Sequence, residues 1–204
     1  MRLASIRTGI FLAVAAAALP GCTKQQLQGQ GSSYLIIDRL TAKAGTIGSD
    51  SGAGDESNVL ESDVLYQTDE ASGIVADLGR ATFRLGMKDP GSANSPTEPT
   101  SANFITVTRY EVRYLRSDGR TTPGVDVPFG FSGAATGTIS GEGGEILFTL
   151  VRVQAKAESP LVALIDGGAL STLAEVTFFG QDQAGRTTSV KGMIGINFAN
   201  YANE

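Results

Sequence analysis

Phe104-Ile105-Thr106-Val107-Thr108-Arg109-Tyr110-Glu111-Val112-Arg113-Tyr114-Leu115 is the stretch that decides the fold. Ile105 and Val107 lie two apart. So do Tyr110, Val112 and Tyr114, with Arg109, Glu111 and Arg113 between them. Alternation of this kind is the period of a half-buried β-strand. The two apolar sets have opposite parity, so the strand needs a bulge or bend near Thr108-Arg109 to bring them onto one face. Ser117-Asp118-Gly119-Arg120 follows as a turn, because aspartate binds its own backbone and glycine tolerates positive φ.

Upstream, Ala81 to Met87 alternates cleanly, with Phe83, Leu85 and Met87 facing one way. Tyr34 to Asp38, extended by Leu40, reads as a first strand covered on both sides. Val64 to Tyr66 and Gly73 to Leu78 read as shorter strands. Gly45 to Asn58 is a loop of glycine, serine and acidic residues. Asp89 to Asn103 carries Pro90, Pro96 and Pro99, which block regular ladders. That segment is either a crossing between sheets or an internal boundary.

Downstream, Val125 to Phe131 and Ala134 to Ile139 are candidate strands, and Gly141 to Gly144 is a tight connection. Ile146 to Ala155 shifts parity midway, which predicts a second bulge or burial on both faces. Pro160 to Asp166 fits strand or short helix. Glu175 to Gly180 alternates, Asp182 to Arg186 is hairpin-like, and Thr188 to Phe198 is the last strand. Its Val190, Gly192, Ile194, Ile196 and Phe198 share a face. About nine strands with glycine-rich turns and no long helical run predict an all-β fold. The expected form is a two-layer antiparallel β-sandwich.

The N-terminus has a different character. Arg2 and Arg7 precede an uncharged apolar run from Ile10 to Leu19. A membrane-spanning helix needs about 20 residues, so this run has the length of a signal-peptide core. It ends in Leu19-Pro20-Gly21-Cys22, and Cys22 is the single cysteine of the chain. These residues resemble the lipobox of bacterial lipoproteins through Leu19, Gly21 and Cys22, while Pro20 departs from the usual residue. The resemblance implies cleavage before Cys22, acylation of its sulfur, and attachment to a membrane by two or three acyl chains. Thr23 stands where aspartate commonly signals retention at the inner membrane, so the outer membrane is expected in a two-membrane cell. A buried helix with a core thiol and an uncleaved anchor are the competing readings. The expected organisation is a signal peptide at 1–21, a lipidated flexible tether at 22–33 and a β-sandwich at 34–204, with 89–103 as a candidate boundary.

From Phe104 onward the chain is similar to immunoglobulin-like or fibronectin-type-III-like modules of bacterial surface proteins. Thr108 to Tyr114 with Ser117-Asp118-Gly119 resembles their central tyrosine-bearing strand and turn. Val176 to Gly185 resembles their late strand and hairpin. Such modules bind proteins or glycans or act as spacers, and the resemblance assigns none of this to particular residues.

Composition narrows the chemistry. Removing residues 1–21 removes two of the 16 basic residues and none of the 21 acidic ones, leaving a net charge of −7. Nucleic acid and anionic lipid attract basic surfaces, so neither is an expected partner. The chain has no histidine, hence neither the commonest general base nor the commonest transition-metal ligand. Asp50, Asp55 and Glu56 lack the spacing of an EF-hand calcium loop and read as solvated. Among the other acids, Glu111, Asp126, Glu142, Glu145, Asp166 and Glu175 show no local pairing, and Asp118 and Asp182 sit in turns. Lys156 and Ser159 do not form a spaced nucleophile motif. The glycines at 141–144 and 167–168 lack the lysine of a phosphate loop and read as hairpin turns and strand ends. No catalytic residue, metal or cofactor is therefore assigned.

Arg109 and Arg113, with Tyr114 beside them, form the candidate partner surface. Tyr110, Tyr114, Phe129 and Phe131 read mainly as core. The expected function is a non-catalytic interaction or structural module of the cell envelope, with another envelope protein as partner. The alternative is a small-ligand or glycan binder using loops 45–58 and 89–103 at one end of the sandwich. An enzyme of unrecognised type is the third reading.

Overall fold

A computed structural model describes residues 29, 31–47 and 56–202. Cys22 and the 1–21 segment therefore lie outside the described residues, as do Asp50 and Asp55. The strands are β1 (Ser33–Lys43), β2 (Val59–Asp63), β3 (Tyr66–Gln67), β4 (Ser72–Gly73), β5 (Asp77–Met87), β6 (Gly91–Ser92), β7 (Ser95–Pro96), β8 (Ile105–Leu115), β9 (Phe131–Ile139), β10 (Gly144–Val151), β11 (Ala169–Asp182) and β12 (Thr187–Ala199). One helix, α1, spans Val153–Ala157. The fold is an all-β sandwich, as expected. Among the described residues twelve strands stand against the expected nine, because four belong to two-residue ribbons, β3-β4 and β6-β7.

A three-stranded sheet, β1-β5-β10, packs on a five-stranded sheet, β2-β12-β11-β8-β9. Pairing is antiparallel except for β2, which runs parallel to β12. β2 follows β1 in the chain but joins the other sheet. No hairpin forces its direction. Strands from before and after residues 89–103 enter both sheets, and this segment carries the chain from β5 in one to β8 in the other.

The predicted bulge in β8 is present. Register shifts between Val107 and Arg109 against β9, and at the same place against β11. Because an extra residue swaps parity, Ile105, Val107, Tyr110, Val112 and Tyr114 all become buried. They meet Ala81, Phe83, Ile146, Phe148 and Leu150 of the smaller sheet and Val176, Phe178, Ile194, Ile196 and Phe198 of their own. The second predicted bulge also occurs, between Thr149 and Val151 of β10.

Several boundaries differ from expectation. Val153 and Ala155 are helical, because the chain leaves the sheet just after the β10 bulge. Residues 125–130 are not a strand: the chain turns at 124–126, where Asp126 and Val127 N–H donate back to the Thr122 carbonyl and Val125 is exposed, and β9 begins only at Phe131. Gly141 to Gly144 is not a hairpin between neighbours but the corner where the chain steps from β9 to β10 across the sandwich. Residues 161–166 form a 3-10 helix. β1 is not covered on both sides, since Tyr34 is 41% exposed on the outer face of an edge strand. β2 lies where a loop was expected to give way to a strand at Val64; Val64 itself is fully buried just past its end.

The pairing of β1 with β5 fixes the two ends of the sandwich. Ser33 opposes Met87 at one end and Lys43 opposes Leu78 at the other. Residues 89–103 leave the first end and 45–58 the second. The two loops offered together as a binding rim are therefore at opposite ends.

Candidate interaction surface

Strand alternation sends odd-numbered residues of β11 and β12 outward, together with Arg109, Glu111, Arg113 and Leu115 of β8. Register then builds rows across the sheet. Arg109 opposes Phe179, Glu111 opposes Thr177, Arg113 opposes Glu175, and Leu115 opposes Leu173. On the other side Glu175 opposes Met193, and Leu173 opposes Gly195, which in turn opposes Val59.

One half of this face is polar and internally satisfied. Arg109 pairs with Glu111 at 2.5 Å and lies 3.6 Å from the centre of the Phe179 ring. Glu175 accepts from Lys191 at 2.9 Å and faces Arg113 at 3.8 Å. Thr106 and Thr138 hydroxyls meet at 3.1 Å. Beside it lies a narrow apolar strip, bounded on its other side by outward Ser171 and Asn197, which hydrogen-bond at 2.7 Å. Val59 is 43% exposed, Leu173 40% and Met193 55%, and half-buried Leu115 closes the row. Gly195 sits in the middle, and a side chain there would meet Val59. Its missing side chain leaves a shallow floor between Val59 and Leu173.

Of the predicted surface, Arg109 and Arg113 are on this face and exposed. Tyr114 is not. It is buried at 3% exposure, and its hydroxyl donates to the Leu150 carbonyl at 2.8 Å across the sandwich. Burial pushes its phenol well above the ordinary range. Tyr114 shares the parity of Tyr110 and Val112, so it points inward by the same alternation that turns the arginines outward. Tyr110 is core as well, and Phe131 packs edge-on against it. Phe129 is 50% exposed and lies over Gly124.

The acids have structural partners. Asp118 is held by Arg116 at 2.7 Å and Arg120 at 2.8 Å. Hydrogen bonds from Arg120, then from Arg116, lower its carboxyl to about 2. Glu56 pairs with Arg80 at 2.6 Å and accepts from the Thr41 hydroxyl. Asp77 is fully buried. Its Oδ1 accepts from Lys156 Nζ at 2.8 Å and from the Gly45 amide at 2.9 Å, and its Oδ2 from the Ser62 hydroxyl at 2.6 Å. The partner of this buried carboxylate is an ammonium, not a second carboxylate. Among the described residues no group of three or more His, Cys, Asp or Glu is placed to hold a metal, and no helix is long and apolar enough to cross a membrane.

Asp182 caps the β11-β12 hairpin. Burial alone would raise its carboxyl, but N–H groups of Arg186 and Ala184 and the Arg186 guanidinium, 2.7 Å away, outweigh this and hold it low. A carboxylate lowered by folding stabilises above its unfolded pKa, about 3.9, and that contribution is lost as pH falls through the folded value. The hairpin amides of Ala184 and Arg186 should therefore exchange faster below about pH 3.9. In Asp182→Asn the acid-dependent part of that change should vanish. Unchanged acid sensitivity in the variant would assign it to another group.

A cavity of about 400 Å³ lies between β1 and β2, lined by Ala42, Lys43, Ser57 and Glu61 among others. Lys43 Nζ is buried and has no hydrogen-bond partner among the described residues. No protein-family model, no curated protein and no solved structure matches the chain.

Proposed function

We propose that this chain is a lipid-anchored extracytoplasmic protein whose β-sandwich serves as a non-catalytic interaction or structural module of the cell envelope. The observation that carries this reading is the apolar patch of Val59 and Leu173 in one row and Met193 in the next, open to solvent on the outer face of the larger sheet. A flat apolar patch beside satisfied charges suits contact with another protein, where desolvated apolar cores meet polar rims. The sheet order supports the kinship with immunoglobulin-type modules. β1-β5-β10 against β12-β11-β8 corresponds to the A-B-E and G-F-C arrangement of that sandwich, and β9 takes the added position beside C.

The anchor reading rests on Arg2, Arg7, the Ile10–Leu19 run and Cys22. The partner is another envelope protein.

Affinity isolation from solubilised native membranes tests the reading. The wild-type chain should bring down one stoichiometric partner, and Leu173→Asp with Met193→Asp should lose it. Leu173 is 40% and Met193 55% exposed, and Met193→Asp comes to face Glu175, so each change should cost up to about 1 kcal/mol, and urea unfolding checks that the double variant stays folded. A wild-type chain that emerges alone overturns the reading. Retention of the partner by the double variant moves the contact off this face.

The cavity beside Lys43 favours the second reading, a small-ligand or glycan binder. Its lining sets Ser57 and Glu61 among apolar Ala42, Val59 and Leu60, the mixture a small-ligand site uses. This site would use one end of the sandwich and the 45–58 loop, without residues 89–103.

A further inference from the structure

The segment that joins the anchor to the sandwich does not trail freely from Ser33. Gly29 N–H donates to the Thr187 carbonyl at 2.9 Å, and Lys88 N–H donates to the Ser32 carbonyl at 2.9 Å. Lys88 Nζ also donates to the Gly29 carbonyl. Asn103 Nδ2 donates to the Ser32 hydroxyl at 2.6 Å, and the Ser33 hydroxyl donates to the Asn103 carbonyl at 2.6 Å. Three separate parts of the chain converge on residues 29–33: the turn before β12, the end of β5 and the entry to β8. The expected tether of residues 22–33 is thus seated against the domain in its last part.

We propose that this seating acts as a collar that holds the sandwich upright on its lipid surface, with the Ser33 end toward the membrane and the opposite end away from it. The proposal rests on acylation at Cys22. Its geometric part follows from lengths. Seven residue steps separate Cys22 from Gly29, and extended chain covers at most about 3.6 Å per residue, so the lead is at most about 25 Å. Strands β8 and β11 hold 11 and 14 residues. At about 3.3 Å per residue they measure roughly 36–46 Å. A lead shorter than the domain's long axis cannot let the domain invert, with its far end on the surface and its Ser33 end held away from it.

The chemistry of the two ends agrees with this placement. Near the collar, residues 91–98 and the turn residues Gln183 and Ala184 are exposed, small or polar. Asp89, Glu98 and Glu142 are exposed there and give no grip on anionic lipid, so the acyl chains do the holding. The far end carries Val125, Phe129, Val153 and Val162, each at least 41% exposed. Leu173 and Val59 lie on the half of the outer face nearer that end. The surface assigned to a protein partner thus lies on the side of the upright domain, in its membrane-distal half.

The test uses the lipidated full chain in phosphatidylcholine vesicles that carry an acceptor dye on their headgroups. Acylation occupies the Cys22 sulfur, so one introduced cysteine is the sole free thiol for a donor dye. Ala184→Cys labels the collar end and Ser117→Cys the far end. Transfer should be several-fold stronger from 184 than from 117. Equal transfer, or stronger transfer from 117, overturns the upright placement. In Lys88→Ala with Asn103→Ala the collar loosens, and the contrast between the two sites should shrink. An unchanged contrast removes the collar as its cause. The collar is read separately by amide exchange in the unacylated Cys22→Ala chain. Gly29 N–H should exchange at least tenfold more slowly than an open peptide, and exchange at the open rate overturns the collar. Failure of the wild-type chain to float with vesicles instead defeats the anchor reading, and the upright placement with it, while the exchange result still judges the collar.

Discussion

Lys156→Met should lower the unfolding free energy by about 3–5 kcal/mol at neutral pH, the range for removing one partner of a buried ion pair. Lys156 is 1% exposed and Asp77 0%. Without the ammonium, a carboxylate stays in the core with the Ser62 hydroxyl and the Gly45 amide as its remaining donors. Burial already pushes the Asp77 carboxyl up in the intact chain, against the pull of Lys156, Ser62 and Gly45. Loss of Lys156 pushes it further. A folded-state pKa raised above the unfolded one means that the native state binds the extra proton. Stability then falls as pH rises between the two values and recovers toward acid. The variant should accordingly be least impaired at low pH. Asp77→Asn added to Lys156→Met should restore most of the loss. The Asn carbonyl still accepts from Gly45, its amide still reaches Ser62, and no charge is left buried. Urea unfolding of the two single variants and the double one measures this. A double variant as unstable as Lys156→Met alone would mean that the packing of the lysine stem, not its charge, holds α1 to the sandwich.

The parts of the fold that could be read beforehand are those where a face is strictly one-sided. β8 declared its own bulge, because apolar parity can change only if a residue is added. β12 declared its inner face from Val190 to Phe198. β2 was not legible. Val59-Leu60-Glu61-Ser62-Asp63 buries Ser62 and Asp63 along with Leu60, and its partner runs parallel from 136 positions away, so no local turn or apolar alternation marks it. The corner at 141–144 carries the same glycines a hairpin would, and only the identity of the partner strands separates the two. The long run from Ile146 ended early because the Leu150 bulge is followed by α1, whose apolar residues continue a strand-like pattern.

The apolar patch was legible in principle. Met193 lies between Gly192 and Ile194, off the parity of the inner face, which by itself turns it outward. Leu173 follows if the alternation of Val176 and Phe178 is carried back through Ala174, Thr172 and Leu170. An outward leucine one row from an outward methionine marks a patch once register is known, and register is what a single chain does not print. Tyr114 was misplaced for a different reason. Its neighbours in sequence are the exposed arginines, but adjacency along a strand separates faces. The buried pair of Asp77 and Lys156 carried no signal either, because the two lie 79 positions apart and each is an ordinary surface residue by type.

Phe178→Ala and Phe179→Ala should differ sharply although the two residues are adjacent. Phe178 is fully buried in β11, and its ring meets Phe83 at 5.0 Å and Phe148 at 5.2 Å, both edge-on, with Tyr110 at 6.3 Å. Phe83 and Phe148 belong to the opposite sheet, so this ring is one of the contacts that join the layers. Truncation there removes the transfer free energy of the ring and leaves a hole that two rigid sheets cannot close. The expected cost is about 3–5 kcal/mol. Phe179 points outward, half-buried under the Arg109 guanidinium. An exposed cation–π contact contributes about 0.5–1 kcal/mol, and Phe179→Ala should cost little beyond that. The contrast reads register directly, because a slip of one residue exchanges the two faces of a strand. Urea unfolding midpoints at constant m measure both variants. Equal costs, or a larger one at 179, would place β11 in the other register, turn Leu173 into the core and take it out of the outer apolar patch.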